Sequence, residues 1–96
     1  MECKVIWTEP AIGDLREIVL YISKDDPEAA GRIGQDIIDT VEVLATFPLI
    51  GQRYGDTRWG EVREVLCWNY RIFYRVLQKK RLVEVLHVRH GARREW

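Results

Sequence analysis

Residues 3–8 (CKVIWT) are dense in β-branched and aromatic side chains and predict a short strand. From Ala11 the period becomes helical. Ala11, Ile12, Leu15, Ile18, Val19 and Ile22 recur at spacings of three and four, with Asp14, Arg16 and Glu17 on the other side. Thr8 offers an N-cap and Pro10 fits the first turn, so the helix is expected to run from there to about Ser23-Lys24-Asp25. Asp26-Pro27-Glu28 restarts a helix, and Ala30, Ile33, Ile37, Val41 and Leu44 carry its apolar stripe to a stop before Pro48. The short connection makes the two helices an antiparallel hairpin. Gly31 and Gly34 interrupt the second helix at about 1 kcal/mol each relative to alanine. Close approach to the first helix is the expected reason.

Residues 48–60 (PLIGQRYGDTRWG) have no period and three glycines, and predict an exposed loop. Three strand-like runs follow, at 61–68, 70–77 and 82–90, the last two joined by the charged turn QKKR. In the middle run Tyr70, Ile72, Tyr74 and Val76 share one face, expected to pack on the helices. Arg71, Phe73, Arg75 and Leu77 share the other. In the last run, Leu86, Val88 and His90 are expected to face away from the helices. The pattern predicts one α+β domain over residues 1–96. It is a helical hairpin packed on a mostly antiparallel β-sheet, in the order β-α-α-β-β-β. Ninety-six residues supply one core and no second one.

Composition narrows the setting. A hydrophobic content of 47% excludes a disordered chain. No apolar run approaches the ~20 residues of a membrane-spanning helix, so no membrane partner is expected. Met1-Glu2-Cys3-Lys4 lacks the basic-then-apolar start of an export signal, which makes the cytoplasm the expected location. Cys3 and Cys67 lie in apolar strand-like stretches and are expected as buried thiols. Neither metal-ligand spacing nor a cofactor motif is present, and none is expected.

The zero net charge hides an asymmetry. Residues 1–50 carry four basic and ten acidic side chains, whereas residues 51–96 carry eleven basic and five acidic ones. Such a layout bears on partners rather than on fold. The positive charge culminates in the last ten residues, HVRHGARREW. Arg89, His90, Arg93 and Arg94 can hold a phosphate, orient a backbone for cleavage, or dock on an acidic protein surface. The bland reading is a solvated end that balances the acidic helices. Arg63, Arg71 and Arg75 read either as an anion-binding sheet face, with Phe73 free to stack, or as partners of Glu61, Glu64 and Glu84. Tyr70 and Tyr74 read as core and His87 as a satisfied strand histidine. Trp7, Trp59 and Trp68 read as core or loop anchors.

FPLIG after the second helix, VREVLCWNYRIFYRV across two strands, and VEVLHVRHGARR at the end resemble the RelE/ParE superfamily of toxins from type II toxin–antitoxin systems. The resemblance covers the whole chain and implies a small toxin neutralised by a co-encoded antitoxin in a hetero-oligomer. One branch of that superfamily cleaves messenger RNA on the ribosome; the ParE-like branch inhibits DNA gyrase. The RNase branch commonly has an arginine late in the second strand and a terminal tyrosine. Here Leu66-Cys67-Trp68 occupy that stretch, Arg63 lies further back, and Trp96 ends the chain. HGAR resembles the gyrase-directed branch more closely. The resemblance therefore implies Arg63, Arg71, Arg75, Arg89, His90, Arg93, Arg94 and Trp96 as target- or antitoxin-binding residues. Were the chain an RNase instead, His90, Arg93, Arg94 and Arg63 would carry the catalysis. A third reading is a fold relative that has lost toxicity and only binds its antitoxin.

Overall fold

The computed structural model describes residues 2–91. Its elements are β1 (Lys4–Trp7), α1 (Glu9–Ser23), α2 (Pro27–Thr46), β2 (Gln52–Thr57), β3 (Gly60–Cys67), β4 (Tyr70–Leu77) and β5 (Leu82–His90), with a 3-10 turn at Gln78–Lys80. The caps are those the sequence offers. Thr8 Oγ1 accepts from the Ala11 N–H, and Asp26 Oδ1 accepts from the Ala29 N–H at 3.1 Å, with prolines following both. The five strands form one sheet in the order β1-β5-β4-β3-β2, antiparallel except for the β1–β5 pair. The helical hairpin covers one face, as expected. The expectation of a loop over 48–60 is corrected in part: β2 lies inside it as an edge strand on β3. The exposed, polar side chains of QRYGDT give that strand no apolar alternation to announce it.

Ala11, Ile37 and Val41 meet Ile72, Val85 and Val88 in the main core, with Leu15, Ile18 and Ile33 packed at its margin. Leu44, Tyr74 and Val83 form a second cluster with Cys3. Both cysteines are buried and unbridged. At Gly34 an added Cβ would stand 3.1 Å from Val19 Cγ2, so close helix approach explains this glycine. Gly31 has open space around it, and close approach does not explain it.

One irregularity re-aims the last strand. Phe73 pairs with His87 but Tyr74 pairs with Val85, which leaves Leu86 as the extra residue of a bulge. Val83 and Val85 face the helices. Leu86 then turns to the opposite face, where it packs with Val62 and Phe73. Val88 returns to the helix side, in the main core. The expectation that Val88 and His90 face away from the helices is therefore corrected, because the bulge resets the two-residue alternation.

Candidate functional site

The short strand β1 covers β5 only as far as Val85, so the later residues of β5 would show a bare edge. The start of α1 fills it. Thr8 donates its hydroxyl and its N–H to the Val85 carbonyl, at 2.7 and 3.1 Å. Six residues later the Asp14 carboxylate accepts the Val88 N–H at 2.9 Å and an Arg89 Nη1 donor at 2.7 Å. His87 Nδ1 lies 3.1 Å from the same carboxylate. Asp14 thus belongs to the sheet edge and not to a solvated helix face. The sequence signal was an acid one turn inside a helix whose cap also bonds the last strand, which no periodicity reveals.

Next to this junction, α1 and the ends of β4 and β5 enclose a groove of about 630 Å³. Its apolar wall is Ile18, Leu20, Tyr21, Tyr70 and Val88; Asp14, Glu17, Lys24, Arg89 and His90 supply the polar groups, of both signs. Leu20 and Tyr21 are 58% and 72% exposed, although they are apolar. They lie off the core stripe of α1, which is why the stripe alone did not single them out. The His90 ring stands edge-on to Tyr70 at 5.7 Å.

The sheet face away from the helices does not present bare arginines. Arg71 pairs with Glu64 at 3.5 Å and Arg75 with Glu84 at 2.5 Å. Arg75 also donates to the Trp59 carbonyl at 3.0 Å. Arg89 stands opposite Arg71 across the β4–β5 ladder and turns to Asp14, so the row Glu64–Arg71–Arg89–Asp14 sets two adjacent guanidiniums between two carboxylates. The Nε atoms of both arginines are buried without a hydrogen-bond partner. Phe73 is buried and edge-on to Tyr54 at 5.0 Å, which removes it as a stacking platform. Arg63 is not on this face. It pairs with Tyr74 on the helix side, donates to the Gly51 carbonyl at 2.9 Å, and forms an ion pair with Glu61 at 3.2 Å. Of the arginines grouped from sequence, the structure brings Arg71, Arg75 and Arg89 together, separates Arg63, and pairs all four with carboxylates. Arg93, Arg94 and Trp96 lie outside the described residues.

Tyr74 is buried as expected. Its hydroxyl donates to the Pro48 carbonyl at 2.8 Å and accepts the Gly51 N–H at 2.9 Å. Burial raises its pKa above the ordinary 10.0, against the smaller opposing pulls of the Gly51 N–H and the Arg63 charge. Trp59 sits under two guanidiniums, Arg58 at 5.1 Å and Arg75 at 5.9 Å. Trp68 occupies the two-residue turn between β3 and β4 at φ 55°, and its indole donates to Asp36 on α2 at 2.8 Å. No group of His, Cys, Asp and Glu that could hold a metal occurs among the described residues.

Residues 5–95 match the family model of the ParE toxin of the type II toxin–antitoxin system parDE. This chain belongs to the ParE toxin family. A Sinorhizobium fredii protein named "Putative toxin Y4kP" is 38% identical over 95 residues, covering 97% of this chain and 92% of that protein. Among solved structures, the chromosomal ParDE system of P. aeruginosa superposes with a TM-score of 0.73 at 24% identity, over 93% of this chain and 96% of that one. An archaeal RelE–RelB complex from Pyrococcus horikoshii gives 0.71 at 15% identity, over 97% and 99%. The RelBE2 toxin–antitoxin complex of Mycobacterium tuberculosis gives 0.68 at 20% identity, over 94% and 99%. At such identities these likenesses concern the fold. The family model and the curated relative make the chain a type II toxin of the RelE/ParE superfamily.

Proposed function

We propose that this ParE-family chain acts by docking on a protein target, DNA gyrase, and not by cutting RNA. One observation carries the reading. The guanidiniums of Arg71, Arg75 and Arg89 are each engaged by a carboxylate of the same chain, Glu64, Glu84 and Asp14. An RNase of this shape needs positive charge held ready for a phosphorane, together with groups that move two protons. An arginine already in a charge-assisted pair is poorly placed to supply that charge. His87, against Asp14, and His90, against the Tyr70 ring, are the histidines that proton transfer would need. Neither shares a site with a guanidinium that lacks a carboxylate among the described residues.

We also propose that the cognate antitoxin lays an amphipathic helix in the groove between α1 and β5. Leu20, Tyr21 and Tyr70 would take its apolar side chains, and Lys24 would meet an acidic one. The solved relatives that are complexes of toxin with antitoxin support this partnership by their names. The test is co-expression with the neighbouring gene product. Wild type should co-purify as a complex, and Leu20→Asp should lose the partner while remaining folded. Gyrase supercoiling should be inhibited by the free chain and restored when the antitoxin is added. A partner that stays bound to Leu20→Asp would place the antitoxin elsewhere.

A further inference from the structure

The turn 78–81 connects β4 to β5, and the structure gives it a second aspect. Lys4 N–H donates to the Arg81 carbonyl at 2.9 Å, and Cys3 N–H donates to the Ala45 carbonyl at 2.7 Å. The start of β1, the end of α2 and the start of β5 therefore meet at one end of the molecule. Lys4, Lys79, Lys80 and Arg81 are all exposed there. Unlike the arginines of the sheet face, these four form no ion pair among the described residues. Glu2, hydrogen-bonded to Thr46 at 3.1 Å, is the carboxylate these bonds bring to this end, and it is paired with none of the four.

The same end carries exposed apolar side chains. Phe47, Leu49 and Ile50 are 59%, 50% and 61% exposed, and Val43 stands one helical turn before Phe47. The loop that bears them is fixed from below. Tyr74 holds the Pro48 carbonyl and the Gly51 N–H, and Arg63 holds the Gly51 carbonyl. A side chain at Gly51 would collide with the Tyr74 ring and the Glu64 carbonyl, so the loop passes too close to the sheet there for any residue but glycine. An anchored loop that presents several apolar side chains to water marks an interaction surface. Leu49 and Gln78 line a common hollow of about 130 Å³, which joins the apolar loop to the basic turn; Glu61, Arg63 and Arg75 also line it, with Glu61 paired to Arg63 and Arg75 to Glu84.

We propose that this end is a second docking surface, for an acidic segment of a protein partner that carries apolar side chains. The unpaired bases call for carboxylates, and Phe47, Leu49 and Ile50 call for apolar groups. A phosphate polyanion answers only the first, and a hollow of this size takes one side chain rather than a lipid tail. Preformed geometry lowers the ordering cost of binding. The surface is separate from the groove. Arg81 precedes β5 and His90 ends it, and nine strand residues at about 3.3 Å each set the two sites roughly 25–30 Å apart. The proposal does not depend on what the chain's target is.

The test is fluorescence anisotropy with the full chain and a short fluorescein-labelled peptide that alternates glutamate with leucine. Single-stranded RNA and phosphatidylglycerol vesicles serve as rival probes. The double variant Lys79→Glu/Lys80→Glu should bind the peptide at least about tenfold more weakly than wild type and lose most of the salt dependence. Ile50→Ser should weaken binding by a similar factor without altering that dependence. Leu66→Ser, an exposed apolar site on the other sheet face, should stay within about twofold of wild type, as befits a distant side chain. All variants should keep the wild-type circular dichroism and melt. Absence of peptide binding by wild type overturns the proposal, as does unchanged affinity in the charge-reversed variant. Tighter binding of RNA or vesicles than of the peptide overturns it too.

Discussion

The Asp14 carboxylate lies 2.7 Å from the Arg89 guanidinium and, through its other oxygen, 2.9 Å from the Val88 N–H. One side chain thus ties α1 to the edge of β5, where β1 no longer covers it. Asp14→Ala leaves a half-buried guanidinium and a backbone donor without partners. The expected cost is about 2–4 kcal/mol of unfolding free energy, by urea denaturation. Asp14→Asn keeps an acceptor for one donor and should cost about half as much. An Asp14→Ala variant with the wild-type midpoint would show that water replaces all three contacts.

Tyr74 and Gly51 form the support of the 47–51 loop. Tyr74→Phe removes a hydroxyl that satisfies both a buried carbonyl and a buried N–H, and should cost about 1–3 kcal/mol. The alkaline limb of stability follows from the raised pKa of Tyr74. The folded state holds the phenolic proton to a higher pH than the unfolded state does. The corresponding stability is complete below pH 10 and declines as pH rises through the folded value. Comparing wild type with Tyr74→Phe from pH 8 to 11 should show a smaller alkaline loss in the variant.

The two glycines of α2 should respond differently to alanine. Gly31 has open space, so Gly31→Ala should raise stability by about 1 kcal/mol through helix propensity. Gly34 lies against Val19, and Gly34→Ala should gain less or lose stability. Thermal melts of the two variants decide this.

Ile37 is fully buried at the junction of hairpin and sheet. Ile37→Asp should abolish the cooperative melt, because an unpaired buried carboxylate costs several kcal/mol against a total of about 5–15 kcal/mol.

Periodicity carried most of this fold. The stripes of α1 and α2, their threonine and aspartate caps, and the alternation of β4 placed the core correctly, because each repeats over several turns or strand residues. What the sequence hid was local. Strand β2 has polar side chains on an edge and no apolar face to display. The bulge at Leu86 shifts the parity of β5 by one residue, and a single extra residue leaves no mark on the pattern. The arginines were visible, and Glu61, Glu64 and Glu84 could be named as one of two alternatives for Arg63, Arg71 and Arg75; Asp14 as the partner of Arg89 could not. Glu64, Glu84 and Asp14 come from two strands and a helix, and only the register decides that they neutralise Arg71, Arg75 and Arg89. The groove was concealed for a similar reason. Leu20 and Tyr21 are ordinary helix residues until Tyr70 and His90 close the other wall.

The central claim, docking on gyrase rather than RNA cleavage, is tested most directly by one paired measurement on the purified chain. Wild type and His90→Ala are compared for inhibition of gyrase supercoiling and for cleavage of messenger RNA on programmed ribosomes. Both proteins should inhibit supercoiling, and neither should cut the message. Ribosome-dependent cleavage by wild type, reduced about a hundredfold or more in His90→Ala as expected for a lost acid–base group, would contradict that claim.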